Sequence, residues 1–189
     1  MDTIALEGGF SDAPITAATA FRAAMNAMAR PGKIEVLEGA MPPPPVSIAA
    51  GSLLLTLCDP ETPVTLLGAA DTKDMRDWLT FHTGAPFVAP EAAMFVLGTW
   101  ADLTPVTRFA IGTPEYPDRS ASLIVECDAL IARGARLTGP GIETEAHLDL
   151  PEIDAFEVNR QLFPLGLDFF FTAGDRVAAL PRTTVVEAG

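Results

Sequence analysis

Two short runs constrain this chain more than any other feature. "VTLL" at 64–67 and "DFFF" at 168–171 carry large apolar side chains at almost every position. Successive side chains of a strand point to opposite faces, so a strand wetted on one side alternates apolar with polar residues. A run without alternation needs a sheet covered on both faces, which means helices layered over strands.

The rest of the chain supplies those layers. "SDAPITAATAFRAAMNAMARPG" (11–32) reads as a first helix. Ser11 or Asp12 caps it, Phe21, Met25 and Met28 form its inward apolar face, and Pro31-Gly32 stops it. "KIEVLEG" (33–39) is a short alternating strand, and "MPPPPV" (41–46) an extended polyproline spacer. "SIAAGSLLLTLCD" (47–59) is ambiguous by period, but its length and leucine content favour a helix ending at Asp59-Pro60. "TPVTLLG" then reads as a buried strand. "DTKDMRDWLTFHTG" (71–84) reads as a helix capped by Asp71 and stopped by Gly84.

Strands follow at "EAAMFVLGT", "SLIVECDAL" and "ARLTG", with a turn-rich stretch beginning at Trp100 between the first two. "IETEAHLDLP" is a loop or edge segment and "EIDAFEVNRQLF" a helix. "GLDFFFTAG", "RVAALP" and "TTVVEA" close the chain as three strands. Helices and strands alternate early and strands crowd the end, which predicts an α/β layered domain on a mixed sheet. At 189 residues, one domain spanning 1–189 is expected.

Composition excludes several functions. The net charge of -13, with a pI near 4.4, repels nucleic acid. The longest apolar run, Val46 to Cys58, falls short of the roughly 20 residues that cross a bilayer. "MDTIALEGGFSD" has neither the basic nor the apolar region of a signal peptide, so a cytoplasmic protein is expected. The mean hydropathy of +0.28 is high for a soluble chain and points to a subunit interface as well as a core. Cys58 and Cys127 are distant and lie in apolar or β-prone runs, so both read as small buried core residues, with no disulfide or zinc pattern.

The residues offer little catalytic chemistry. "ARLTGPGI" (135–142) holds a Gly-Pro-Gly turn, but no Walker lysine follows, and a dinucleotide loop would need a third glycine opening a helix. A rigid turn leaving a strand is the simpler reading. Arg136 and Thr138 can reach an anion, or Arg136 pairs with a nearby glutamate. In "ALPRTT" (179–184), Pro181 implies an edge, a bulge or a break that re-aims the residues after it. Arg182 beside Thr183 and Thr184 suits an oxyanion, or else Arg182 pairs with Asp168 or Glu187. Arg136, Thr138, Gly139, Gly141, Arg182 and Thr183 are thus candidate anion-binding residues, and none is assigned a catalytic role.

His82 reads as a favourable last-turn residue and His147 as exposed. With two histidines and two scattered cysteines, no metal-ligand spacing is present. Glu143, Glu145, Glu152, Asp154 and Glu157 read as solvated carboxylates. Lys33 follows a turn and Lys73 opens a charged helix, neither a pocket for a Schiff-base cofactor.

Six motifs carry a family resemblance. "FRAAMNAMARPG", "LLLTLCDPETPV", "FHTGAP", "LTGPGI", "FPLGLD" and "LPRTT" occur in an order that resembles the PhnH family of the phosphonate carbon–phosphorus lyase system, from about Phe21 to Val186. The resemblance implies a cytoplasmic, non-catalytic subunit of a core complex. Its pathway joins an alkylphosphonate to the ribose of ATP with loss of adenine, giving a ribose 1-alkylphosphonate 5-triphosphate. It also implies a homodimer, and a fold similar to the large domain of pyridoxal-phosphate-dependent transferases but without the cofactor. The expected partners are a second copy and other core-complex subunits. A module with its own site for a nucleotide or phosphonate ester is the alternative.

Overall fold

The computed structural model describes residues 6–189, so the first residues of the acidic N-terminal stretch read above lie outside it. A first helix, α1 (Ala13–Ala29), leads to the two-residue strand β1 (Glu35–Val36) and then α2 (Ile48–Leu57). Next come β2 (Val64–Leu66), α3 (Lys73–Thr83), β3 (Phe95–Thr99) and the single-turn α4 (Trp100–Leu103). β4 (Ser122–Glu126), β5 (Ala135–Thr138), β6 (Ala146–Leu148) and α5 (Ile153–Gln161) follow. β7 (Asp168–Ala173), β8 (Arg176–Leu180) and β9 (Val185–Glu187) end the chain.

Six strands form a mixed sheet in the order β1-β8-β7-β4-β3-β2. Its centre is parallel: β2, β3, β4 and β7 run together, and β8 and β1 add antiparallel pairings at one edge. The expected mixed sheet covered by helices is therefore present. Alternate residues of the apolar strands enter different cores. Leu97, Ile124 and Phe170 pack with α1, α2 and α3, whereas Val96, Leu123, Phe169 and Phe171 pack with α5 and the smaller sheet. This double burial is why "DFFF" has no polar position after its first residue.

The three closing strands are present but do not share one sheet. Pro181 breaks the chain after β8, and β9 joins a separate antiparallel sheet in the order β6-β5-β9. "IETEAHLDLP" contributes β6, the edge of that sheet. The second sheet closes one side of the main sheet through Leu137, Leu148 and Val186.

Local signals account for most helix ends. Asp12 caps α1 by accepting from the Ile15 N–H, and Ser47 caps α2 by accepting from the Ala50 N–H at 3.1 Å. Gly84 ends α3 in the left-handed region at φ 71°, as its sequence predicts. The start of α3 differs from expectation. Thr72, not Asp71, accepts from the Met75 N–H, and Asp71 instead holds Arg76. A hydroxyl one residue nearer the helix reaches the orphan amide, which frees the carboxylate for the guanidinium.

The face of α1 is the larger correction. Phe21 and Met25 are about half exposed and Met28 is only partly buried, while Ala20, Ala24 and Ala27 face the core. Small residues let α1 lie close against α2 and β8, and its large apolar residues are turned outward.

Candidate functional site

Pairing of β5 with β9 sets Thr138 opposite Val185 and Arg136 opposite Glu187. The fold therefore brings the two glycine- and arginine-bearing segments together, and a Cβ on Gly139 would lie 3.3 Å from the Thr183 carbonyl. It does not bring their guanidiniums to a shared task. Arg136 is exposed and forks between Glu145, at 2.9 Å, and Glu187. The two carboxylates raise the Arg136 pKa further, and the Arg136 guanidinium in turn holds Glu145 below the usual carboxylate range.

Arg182 is committed more deeply. Its Nε and Nη2 donate to the two oxygens of Asp168, at 3.2 and 2.5 Å, and Nη2 also donates to the Ser120 hydroxyl. Nη1 donates to the carbonyls of Pro117, at 2.9 Å, and Pro164, at 3.4 Å, while the Arg182 N–H donates to Asp168. One side chain thus ties the β8–β9 break to the loop before β4 and to the loop before β7. Asn159 completes the arrangement by exchanging two hydrogen bonds with the backbone of Leu167. Every atom of the Arg182 fork points at a protein acceptor, which explains "FPLGLD" and "LPRTT" as a folding lock.

The Gly-Pro-Gly turn has a packing reason. Gly141 has φ +83°, and a Cβ there would stand 2.0 Å from the Ala29 carbonyl at the end of α1. Only glycine lets this corner seat against the helix.

A different concavity carries most of the unassigned polar groups. A cleft of about 500 Å³ opens where the parallel strands β3 and β4 end, beside the β7–β8 turn and the start of α2. The carboxyl ends of parallel strands are the usual ligand position in open α/β sheets. Ser47, Thr99, Asp102, Glu126, Cys127 and Asp128 supply its chemistry. Asp102 closes a reciprocal cap with Thr99, accepting from its N–H at 3.1 Å and its hydroxyl at 2.6 Å. Glu126 accepts from the Ser47 N–H at 2.7 Å and the Thr172 hydroxyl at 3.0 Å.

Burial raises the Glu126 carboxyl above its ordinary range, and the bonds from Ser47 and Thr172 oppose that only in part. Cys127 packs against the edge of the second core, but it is only half-buried and also lines this cleft, so the reading of a fully buried core residue holds only in part. Burial, then the charges of Glu126, Asp128 and Asp149, pushes its thiol up to about 11. The thiol is therefore protonated near neutral pH and is a poor nucleophile. Cys58 is a core residue as expected, pushed up to about 12, chiefly by burial.

Among the described residues, no lysine, arginine or histidine lines the cleft and three carboxylates do, so its field disfavours a phosphate or phosphonate. Sequence reasoning missed it because its residues come from separate strand ends and a helix cap. The available signal was a polar residue closing each apolar strand, Thr99 after "FVLG" and Glu126 after "SLIV".

His82 sits in the last turn of α3, as read, with its ring edge-on to Trp78 and Phe81 at centroid distances of 5.1 and 5.0 Å. His147 lies half-buried on β6 opposite Arg136, not exposed. Glu143, Glu145, Glu152, Asp154 and Glu157 are exposed, and Glu152 accepts from the Trp100 indole. Lys33 pairs with Glu35 and Lys73 with Asp77. Among the described residues, no helix is long and apolar enough to cross a membrane.

Comparison with known proteins agrees with the motif pattern. Residues 8–187 match the family model described as "Bacterial phosphonate metabolism protein (PhnH)". The chain is 41% identical to the alpha-D-ribose 1-methylphosphonate 5-triphosphate synthase subunit PhnH of Rhizobium meliloti, covering 95% of this chain and 94% of that protein. It is 33% identical to the putative C-P lyase subunit protein HtxG of Stutzerimonas stutzeri, covering 94% of each.

Proposed function

The chain belongs to the PhnH family of bacterial phosphonate metabolism proteins, and from that premise we propose that it is a subunit of the carbon–phosphorus lyase core complex. In that setting it supports formation of a ribose 1-alkylphosphonate 5-triphosphate from ATP and an alkylphosphonate, with another subunit performing the chemistry. The observation that carries this reading is the end-to-end match to a relative named as a subunit of such a synthase. The site geometry is compatible with it: Arg136 and Arg182 are held by carboxylates, and the strand-end cleft is lined by acids.

The reading includes a cytoplasmic homodimer, supported by the large apolar side chains left on the surface away from α1, among them Val158, Leu162 and Phe163. It also includes kinship with the large domain of pyridoxal-phosphate-dependent transferases, supported by the parallel centre of the main sheet, which is covered by α1, α2 and α3 on one face and by α5 with the smaller sheet on the other. Lys33 and Lys73 lie outside the lining of the cleft, paired with Glu35 and Asp77.

Light scattering after size exclusion tests the subunit reading, first on the protein alone and then with the other core-complex subunits. The expected result is a dimer that moves quantitatively into a larger particle. A dimer that stays apart from those partners overturns the reading.

A second reading, an anion site built from Arg136, Thr138, Gly139, Gly141, Arg182 and Thr183, is favoured by the meeting of the two segments at Gly139 and Thr183. Calorimetry with ATP and with methylphosphonate separates the two. Heat of binding that Arg136→Ala abolishes would support the anion site, and its absence supports the subunit reading.

A further inference from the structure

The outward face of α1 is unlike that of an ordinary surface helix. Nine of its positions are exposed, and Arg22 is the only charged residue among them. Ile15, Phe21 and Met25 are 66, 52 and 51% exposed. Grooves flank the helix, a largely apolar one of about 640 Å³ beside Ile15, Val36, Met41 and Ile48 with Glu38 as its one charged residue, the other of about 360 Å³ beside Phe21, Met25, Met28 and Leu57.

The exposed residues have a pattern. Ile15, Ala18, Arg22, Met25 and Ala29 are spaced alternately by three and four, the spacing with which one helix meets another. The local charge is also exceptional. No acidic residue occurs from Ala13 to Ile34 in a chain that carries 25. Arg22 has no carboxylate partner among the described residues.

We infer that the α1 face is the docking seam for an amphipathic helix of another subunit, one that places a carboxylate opposite Arg22. This rests on the reading of the chain as a complex subunit. A second copy of this chain fits the seam poorly. Two-fold pairing opposes identical patches, and the spine is centred on Arg22, so burying it whole would set one Arg22 guanidinium against its mate. A helical partner with an acidic position satisfies both the apolar spine and the unpaired cation.

The test uses the assembled core complex carrying the photocrosslinking substitution Met25→p-benzoylphenylalanine, with cross-linked peptides identified by mass spectrometry. The expected product joins α1 to an acid-bearing helical segment of another subunit. In titrations of the remaining subunits, Arg22→Glu is expected to weaken assembly by about tenfold or more. Phe21→Ala should weaken it too. Both positions are exposed, and circular dichroism confirms that the variants fold.

Cross-linking to a second copy of this chain overturns the inference. So does a complex that forms with no cross-link at position 25 and with wild-type affinity for Arg22→Glu, although the subunit reading then survives. Failure of the wild-type chain to assemble at all overturns that reading, and the inference with it.

Discussion

Arg136 and Arg182 show how one residue type serves different ends. Both pair with carboxylates, but Arg136 is 41% exposed at its side chain and Arg182 only 12%. Water can replace the partners of the first and not readily those of the second. Arg182→Ala should therefore destabilise the fold by about 3 kcal/mol, because it takes the guanidinium from Asp168, the Ser120 hydroxyl and the carbonyls of Pro117 and Pro164. Arg136→Ala should barely move the denaturation midpoint, and chemical denaturation of the two variants side by side checks the contrast.

Glu126 carries a pH signature at the same scale. A carboxyl whose folded pKa is raised binds its proton more tightly in the folded state. Its contribution to stability is complete below the ordinary glutamate range and is lost as pH rises through and above that range. Glu126→Gln has no such proton, so the variant should gain on wild type as pH climbs from about 4 to about 7. Urea midpoints that move in parallel over that interval would contradict the assignment.

At the scale of elements, the helix ends connect local sequence to the site. Ser47 caps α2 through its hydroxyl while its own N–H is held by Glu126. The cap is thus a join between the first apolar layer and the strand-end cleft. Ser47→Ala keeps the backbone bond but removes the hydroxyl, with an expected loss of about 1 kcal/mol, measurable by thermal or urea unfolding. Gly141→Ala should cost more than this cap, since both the positive φ and the Ala29 carbonyl oppose a side chain. Comparable losses for the two variants would show that the corner yields more easily than its geometry indicates.

The whole molecule is acidic, and its charge is unevenly distributed. A net charge of -13 on 189 residues makes the compact state repel itself, least along α1, whose own residues include no acid. Raising the salt from about 20 mM to about 300 mM should therefore raise the melting temperature by screening that repulsion. A melting temperature that falls instead would mean that ion pairs such as Arg182–Asp168 outweigh the net repulsion. The two exposed patches, one along α1 and one at Val158, Leu162 and Phe163, lie on this charged background as the surfaces most open to other chains.

Much of the architecture could be read from short-range patterns. "DFFF" and "VTLL" demanded a doubly covered sheet, Gly84 ended α3, and Pro181 separated two strands, because backbone geometry and side-chain period act within a few residues. The partners of Arg136 and Arg182 were among the pairings open from the sequence, but choosing between protein and ligand acceptors required the positions of Ser120, Pro117 and Pro164. Those residues lie 62, 65 and 18 positions from Arg182. The inward face of α1 was misread because hydrophobicity ranks Phe21 and Met25 above alanine, whereas close helix packing prefers the smaller side chain. The cleft was invisible for a related reason: Ser47, Thr99 and Glu126 share no local motif and meet only when parallel strands end side by side. Sequence alone determined the kinds of layers in this protein; tertiary structure decided which face of each layer is buried and which distant polar groups share a site, because close packing and long-range contact are properties of the assembled chain.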